Sequence, residues 1–278
     1  MSAHVLLVDC DDRRGLVHAV TGVLLQHGVN IVGNQEFVER DAARFFMRTE
    51  FDGAVEAGQL EAEVRRALPP QASVRLSDLK PKRIVVLVSR EHHCLGDILI
   101  RQAFGELNAQ VLGVFSNHAV LEGLTARFNL PFHFISHESL TREAHEAKML
   151  VEIERLNPDY LVLAKYMRVL TPEFVRRFPA RILNIHHSFL PAFAGARPYQ
   201  QAFDRGVKII GATAHFITEK LDEGPIIVQR VIPVNHTHTA QDLSRAGRDV
   251  EQLVLARALR LVLEDRVFLC GNRTVIFD

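Results

Sequence analysis

Asn184 and His186 stand two residues apart in Leu183-Asn184-Ile185-His186-His187-Ser188-Phe189-Leu190-Pro191, a run that opens apolar and ends in a proline-containing loop. In extended chain, residues two apart project from the same face. Asparagine offers an amide N–H donor, and histidine can give or take a proton near neutral pH. Attack on a carbonyl needs both: a donor where negative charge develops, and a positioned acid or base. Asp222 lies in Thr218-Glu219-Lys220-Leu221-Asp222-Glu223-Gly224-Pro225, a short polar stretch between two apolar runs. A carboxylate there could orient an imidazole, raise its basicity and hold a water molecule. Thr213 and His215 alternate onto one face of the preceding run. Each of these residues also has a plainly structural use. Strand-end histidines are often satisfied packing groups, asparagine before a loop makes Asx turns, and Asp-Glu-Gly-Pro is ordinary turn composition.

A sheet has to position these groups. From Ile84 onward, apolar runs alternate with helical patterns: strands are expected at Ile84–Ser89, Val111–Phe115, Tyr160–Ala164 and Arg181–Ile185, and a helix at Leu140–Leu156 closed by Asn157-Pro158. That alternation predicts an open, mostly parallel, Rossmann-like α/β sheet, in which ligands bind beyond the carboxyl ends of the strands. Ile209–Thr218 and Ile226–Pro233 are separated by too short a loop for a crossover, so an antiparallel element closes the sheet. A long helix follows over Ala240–Glu264, then a terminal hairpin over Arg266–Phe277 with Gly271-Asn272 at its turn.

The first eighty residues read differently. Strands at His4–Val8, Asn30–Arg40, Ala42–Phe51 and Ser73–Leu79 alternate with helices at Leu16–His27 and Gly58–Leu68, the latter stopped by Pro69-Pro70. The order βαββαβ is a ferredoxin-like sheet with two helices on one face. Lys80-Pro81-Lys82-Arg83 is the expected hinge, giving domains at 1–80 and 84–278.

The 278 residues carry 33 basic and 33 acidic side chains, a balance that does not call for a nucleic-acid or membrane partner. The three cysteines, Cys10, Cys94 and Cys270, are too scattered to read as a zinc site or a disulfide framework, and the start of the chain lacks a secretory pattern, so a cytoplasmic location is expected. No metal site is expected: the chain holds no H-E-x-x-H motif, and His236-Thr237-His238 reads as solvent-facing loop. His92, His93 and Cys94 follow a strand end and either border the site or only pack against the domain.

Asn184–Pro191 followed by Gly211–Ile227 resembles the folate-dependent formyltransferase family, whose motif is N-x-H-P-S-L-L-P, then a strand ending in a leucine-aspartate-glycine-rich loop. Residue by residue, the match implies Asn184, His186 and Asp222 as the catalytic set. Lys165–Leu170 resembles the family's strand-end loop that wraps the pterin ring, and Thr218–Asp222 its second wall. The implied substrate-binding residues are Met167, Arg168, Val169, Leu170, His215, Thr218, Glu219 and Leu221. The chain departs from the motif at His187, where the family has proline. Ser89–Leu95 is bulky and acid-bearing where the ribonucleotide-binding members carry a glycine-rich phosphate loop, so a phosphate nest is not expected.

The front stretch, through Val8–Val17 and Arg44–Arg48, resembles an ACT domain. Joined to a formyltransferase-like domain, it implies the hydrolytic branch of the family, in which water replaces the acceptor amine. The implied substrate is 10-formyltetrahydrofolate, with no prosthetic group; the products are tetrahydrofolate and formate, the latter supplying purine biosynthesis. A true transferase passing the formyl group to an amine is the alternative. The ACT resemblance also implies a homo-oligomer (dimer or tetramer), and either an amino-acid effector near Gly15 and Gly28–Ile31 or a plain dimerisation role.

Overall fold

The structure, a computed structural model, describes residues 3–192 and 198–278. The chain divides into two compact units: one runs to Lys80 and adds Glu264–Asp278, and the other spans Pro81–Leu263.

In the first unit, β1 (Ala3–Asp11), α1 (Leu16–Gln26), β2 (Asn30–Glu39), β3 (Arg44–Asp52), α2 (Ala57–Ala67) and β4 (Ser73–Ser77) follow the expected order. They form an antiparallel sheet, β2-β3-β1-β4. Leu6, Val8, Met47 and Phe51 pack with Leu16, Val20 and Leu24 of α1 and Leu60 and Val64 of α2. Gly15 takes a left-handed φ of 86° to turn the chain into α1, a conformation that costs an L side chain energy.

The terminal hairpin (Val267–Cys270 with Arg273–Ile276) belongs to this unit, whereas the sequence reading placed it in the second domain. Two four-residue strands have no core of their own and need a surface on which to bury their apolar side. Phe268 meets Phe46 of β3 edge-on, with centroids 5.6 Å apart. The buried Arg48 guanidinium donates to the carbonyls of Glu264 and Asp265 at 3.0 Å each, and the Asp265 carboxylate pairs with Arg75 at 2.7 Å.

The second unit comprises β5 (Lys82–Val88), α3 (His93–Ala103), β6 (Ala109–Ser116), α4 (Glu122–Ala126), β7 (Phe132–Phe134), α5 (Arg142–Leu156), β8 (Tyr160–Leu163), α6 (Pro172–Arg177), β9 (Ile182–His186), α7 (Pro198–Asp204), β10 (Ile209–Phe216), β11 (Ile226–Pro233) and α8 (Ala240–Leu263). Its seven strands lie in the order β11-β10-β9-β8-β5-β6-β7. Strands β5 to β9 pair with one another in parallel, and β10 runs antiparallel to both β9 and β11. The chain leaves β5 toward β6 and β7 and returns to its other side at β8. This reversal of strand order opens a crevice beyond the carboxyl ends of the strands. Among the described residues, no helix is long and apolar enough to cross a membrane.

Candidate active site

The register between β9 and β10 sets the first pair of functional side chains. Asn184 lies opposite His215 and His186 opposite Thr213, so each pair shares a face. Asn184 Nδ2 is 3.2 Å from His215 Nε2, while His215 Nδ1 is 2.9 Å from the Phe216 carbonyl. Burial pushes the His215 imidazole below its ordinary pKa and keeps it neutral. The proton on Nδ1 goes to the carbonyl, so Nε2 must accept. That assigns the Asn184 amide orientation and leaves its second N–H for another acceptor.

Asp222 reaches the same face from the loop between β10 and β11. It adopts φ 56°, a left-handed conformation that aspartate tolerates better than most residues. The loop folds tightly back on β10: Phe216 N–H donates to the Pro225 carbonyl at 2.9 Å. A Cβ on Gly224 would fall 1.8 Å from the Phe216 carbonyl oxygen, so only glycine permits this closure. Asp222 Oδ1 then lies 3.4 Å from His186 Nδ1. The His186 imidazole beside it holds the Asp222 carboxyl below its usual range, against the opposing effect of burial. His186 Nε2 is buried and has no protein partner among the described residues. One ring nitrogen faces a carboxylate, and the other is left for a ligand.

The loop after β8 forms the opposite wall. Ser89 Oγ accepts from Met167 N–H at 3.0 Å, anchoring the near end. The buried Glu146 carboxylate accepts from Thr171 N–H at 3.0 Å and also holds its hydroxyl, anchoring the far end where α6 begins. A cavity of about 300 Å³ lies between the walls. Asn184, His186 and Asp222 line it with Met167, Arg168, Val169, Leu170, His215, Thr218, Glu219 and Leu221. Met167, Val169 and Leu221 stay exposed beside it, an apolar lip suited to a flat aromatic ring.

His92, His93 and Cys94 do not line this cavity. His92 caps α3, and His93 and Cys94 are buried in its first turn. His93 Nε2 donates instead to Glu251 of α8 at 2.7 Å. The expectation that these three border the site is therefore corrected: helix formation starts at His93 and turns His93 and Cys94 into the core, while His92 stays exposed ahead of the helix. His93, Cys94 and Glu251 bring potential ligand atoms within 4.8 Å of one another. However, Glu251 is already satisfied by three donors. Besides His93, it pairs with Lys165 Nζ at 3.1 Å and accepts from Tyr199 Oη at 2.6 Å. Burial would raise its carboxyl, but the His93 hydrogen bond, the Lys165 charge and the Tyr199 hydroxyl bring it down to about 2. Burial also pushes the Cys94 thiol well up, away from the thiolate a metal would need.

The sequence reading did not single out Glu251, Tyr199 or the side chain of Lys165. The available signals were an acid inside the apolar face of α8 and a lysine directly following an apolar strand. The loop beyond His186 is firm without the family's proline: Thr213 Oγ donates to the Ser188 carbonyl at 2.9 Å and accepts from Leu190 N–H at 3.1 Å. His187 packs between His186 and Tyr199, with centroids 5.1 and 6.3 Å away.

Two family models match this chain: formyl transferase over residues 82–259 and ACT domain over residues 4–68. The formyltetrahydrofolate deformylase of Haemophilus influenzae is 53% identical over 98% of this chain and 98% of its own length. The chain belongs to the formyltetrahydrofolate deformylase family. A deformylase crystal structure from Pseudomonas syringae pv. tomato matches with a TM-score of 0.96 at 37% identity, covering 99% of this chain and 94% of that one. Glycinamide ribonucleotide transformylase 1 from Symbiobacterium toebii matches with a TM-score of 0.69 at 34% identity, over 73% of this chain and 97% of its own. The deformylases thus match nearly end to end, and the transformylase over about three-quarters of the chain.

Proposed function

We propose that the chain hydrolyses 10-formyltetrahydrofolate to formate and tetrahydrofolate at the cavity between the β8 loop and the β10–β11 loop. The full-length likeness to deformylases supports the reaction. The observation that carries the site is the meeting of Asn184, His186 and Asp222 on one wall, with His186 Nε2 unpartnered. The pterin ring lies between Met167–Leu170 and Thr218–Leu221. The formyl carbon then sits before Asn184, whose second N–H stabilises the oxyanion as water attacks. Such a donor is typically worth about 10²- to 10³-fold in rate. Water gives a proton to His186 as its oxygen bonds to the formyl carbon, the C–N10 bond breaks, and His186 passes that proton to N10. Asp222, ionised at neutral pH, orients His186 and the water.

Formate release from formyl-tetrahydrofolate, with no amine supplied, tests the reaction. Asn184→Ala and Asp222→Ala abolish that release while circular dichroism stays unchanged. Full activity in both variants would remove the assignment. We assign the first unit an amino-acid-sensing role, on the ACT-domain match. Titrating methionine and glycine against formate release tests it; a flat response leaves a dimerisation module.

A further inference from the structure

Resting on the hydrolytic reading above, we propose that Lys165 occupies, on the Glu251 carboxylate, the seat an acceptor amine would take, and so directs the formyl group to water. A second cavity of about 550 Å³ abuts the first, and Lys165, Met167 and His187 line both. Its other walls include Tyr199, Ser244 and Arg248. A nucleophile arriving from this side would reach the formyl carbon past Lys165 and His187.

A buried carboxylate beside such a route is a natural receptor for an ammonium group, because a desolvated anion needs a compensating donor. Here the chain supplies that donor itself. The Lys165 backbone takes a left-handed φ of 65° just beyond β8, and the residue is buried. The Lys165 side chain is 2% exposed, and its ammonium lies 3.1 Å from the carboxylate of Glu251, whose side chain is fully buried. His93 and Tyr199 hold Glu251 from the other sides, so they act as positioning residues for Lys165. The internal ammonium both fills the receptor and repels a second cation. Uncharged water is not excluded in this way.

Lys165→Ala removes a propylammonium group, so n-propylamine is the matching probe. Propylammonium chloride raises the thermal midpoint of Lys165→Ala above that in equimolar sodium chloride, and leaves the wild type and Lys165→Ala/Glu251→Gln unmoved. With formyl-tetrahydrofolate at alkaline pH, the free amine attacks the formyl carbon, the C–N10 bond breaks, and the proton lost by the amine goes to N10. The ratio of N-propylformamide to formate rises more than about tenfold over wild type, the scale of one charge-assisted contact. The double variant loses that gain. A folded Lys165→Ala that is neither stabilised nor diverted to the amide overturns the proposal. So does a wild type that formylates propylamine equally well, or a double variant that keeps the gain. Should Lys165→Ala not stay folded, its refolding yield replaces the midpoint, and equal yields in the two salts overturn the idea. Wild-type formate release reads the hydrolysis itself, so its absence strikes the hydrolytic reading and the amine experiment strikes only this one.

Discussion

The Asn184 amide shows how a single neighbour turns a side chain into a directed group. Free to flip, it would present oxygen as readily as N–H; held at 3.2 Å by a neutral His215, it presents N–H. His215→Phe removes the acceptor, so kcat falls roughly 10- to 100-fold, part of what an oxyanion donor supplies. Steady-state formate release measures this, and KM moves less because the cavity walls survive. His187 carries a second residue-level consequence. Burial, then the Lys165 charge, depress its imidazole from 6.5 to about 3. A folded-state value below the unfolded one means the unfolded chain binds the extra proton between those limits. Stability therefore falls as pH drops from 6.5 toward about 3. His187→Gln flattens that part of a plot of thermal midpoint against pH; an unchanged slope would show that other groups dominate it.

At the scale of elements, two loops face each other across the cavity, each closed by a specific local device. The β10–β11 loop depends on Gly224, whose missing Cβ admits the Phe216 carbonyl. Gly224→Ala forces that loop off β10 and carries Asp222 away from His186. Formate release falls by more than about 100-fold, in line with misplacing a catalytic group by an ångström. Overpacking of this kind also costs about 1–3 kcal/mol, measurable by urea unfolding. Retention of both activity and stability would mean that the loop re-closes by another path. The β8 loop was legible as a strand-end feature, but its anchors were not. Ser89 and Glu146 are 78 and 25 residues away from the backbone groups they hold.

For the whole molecule, the division into units decides which changes separate stability from catalysis. Phe268 belongs to the hairpin that the first unit recruits, and it packs on Phe46. Phe268→Ala destabilises that unit by about 2 kcal/mol or more, the low end for truncating a packed phenylalanine. The described residues that line the cavity all belong to the second unit. Formate release per folded molecule therefore stays near wild type, while urea unfolding shifts to lower concentration. A proportional loss of activity would show that the hairpin serves catalysis as well.

Sequence alone determined the order of elements in the first unit, every strand of the second sheet but the short β7, and which side chains gather at the candidate site. Period-2 and period-3.6 patterns are local, and the Asn-x-His spacing projects from any extended strand. The motif at 184–191 and 211–227 likewise carried the family. What only the tertiary structure decided depends on distant partners. The terminal hairpin went to the first unit because Arg48, Arg75 and Phe46 offered it and its lead-in a surface 190 or more residues back in the sequence. His93 left the site because α3 turns it toward Glu251, and Lys165 became an internal ion pair rather than a surface charge. No local pattern records which buried charge a side chain will meet, because that pairing exists only once the sheet and α8 have packed.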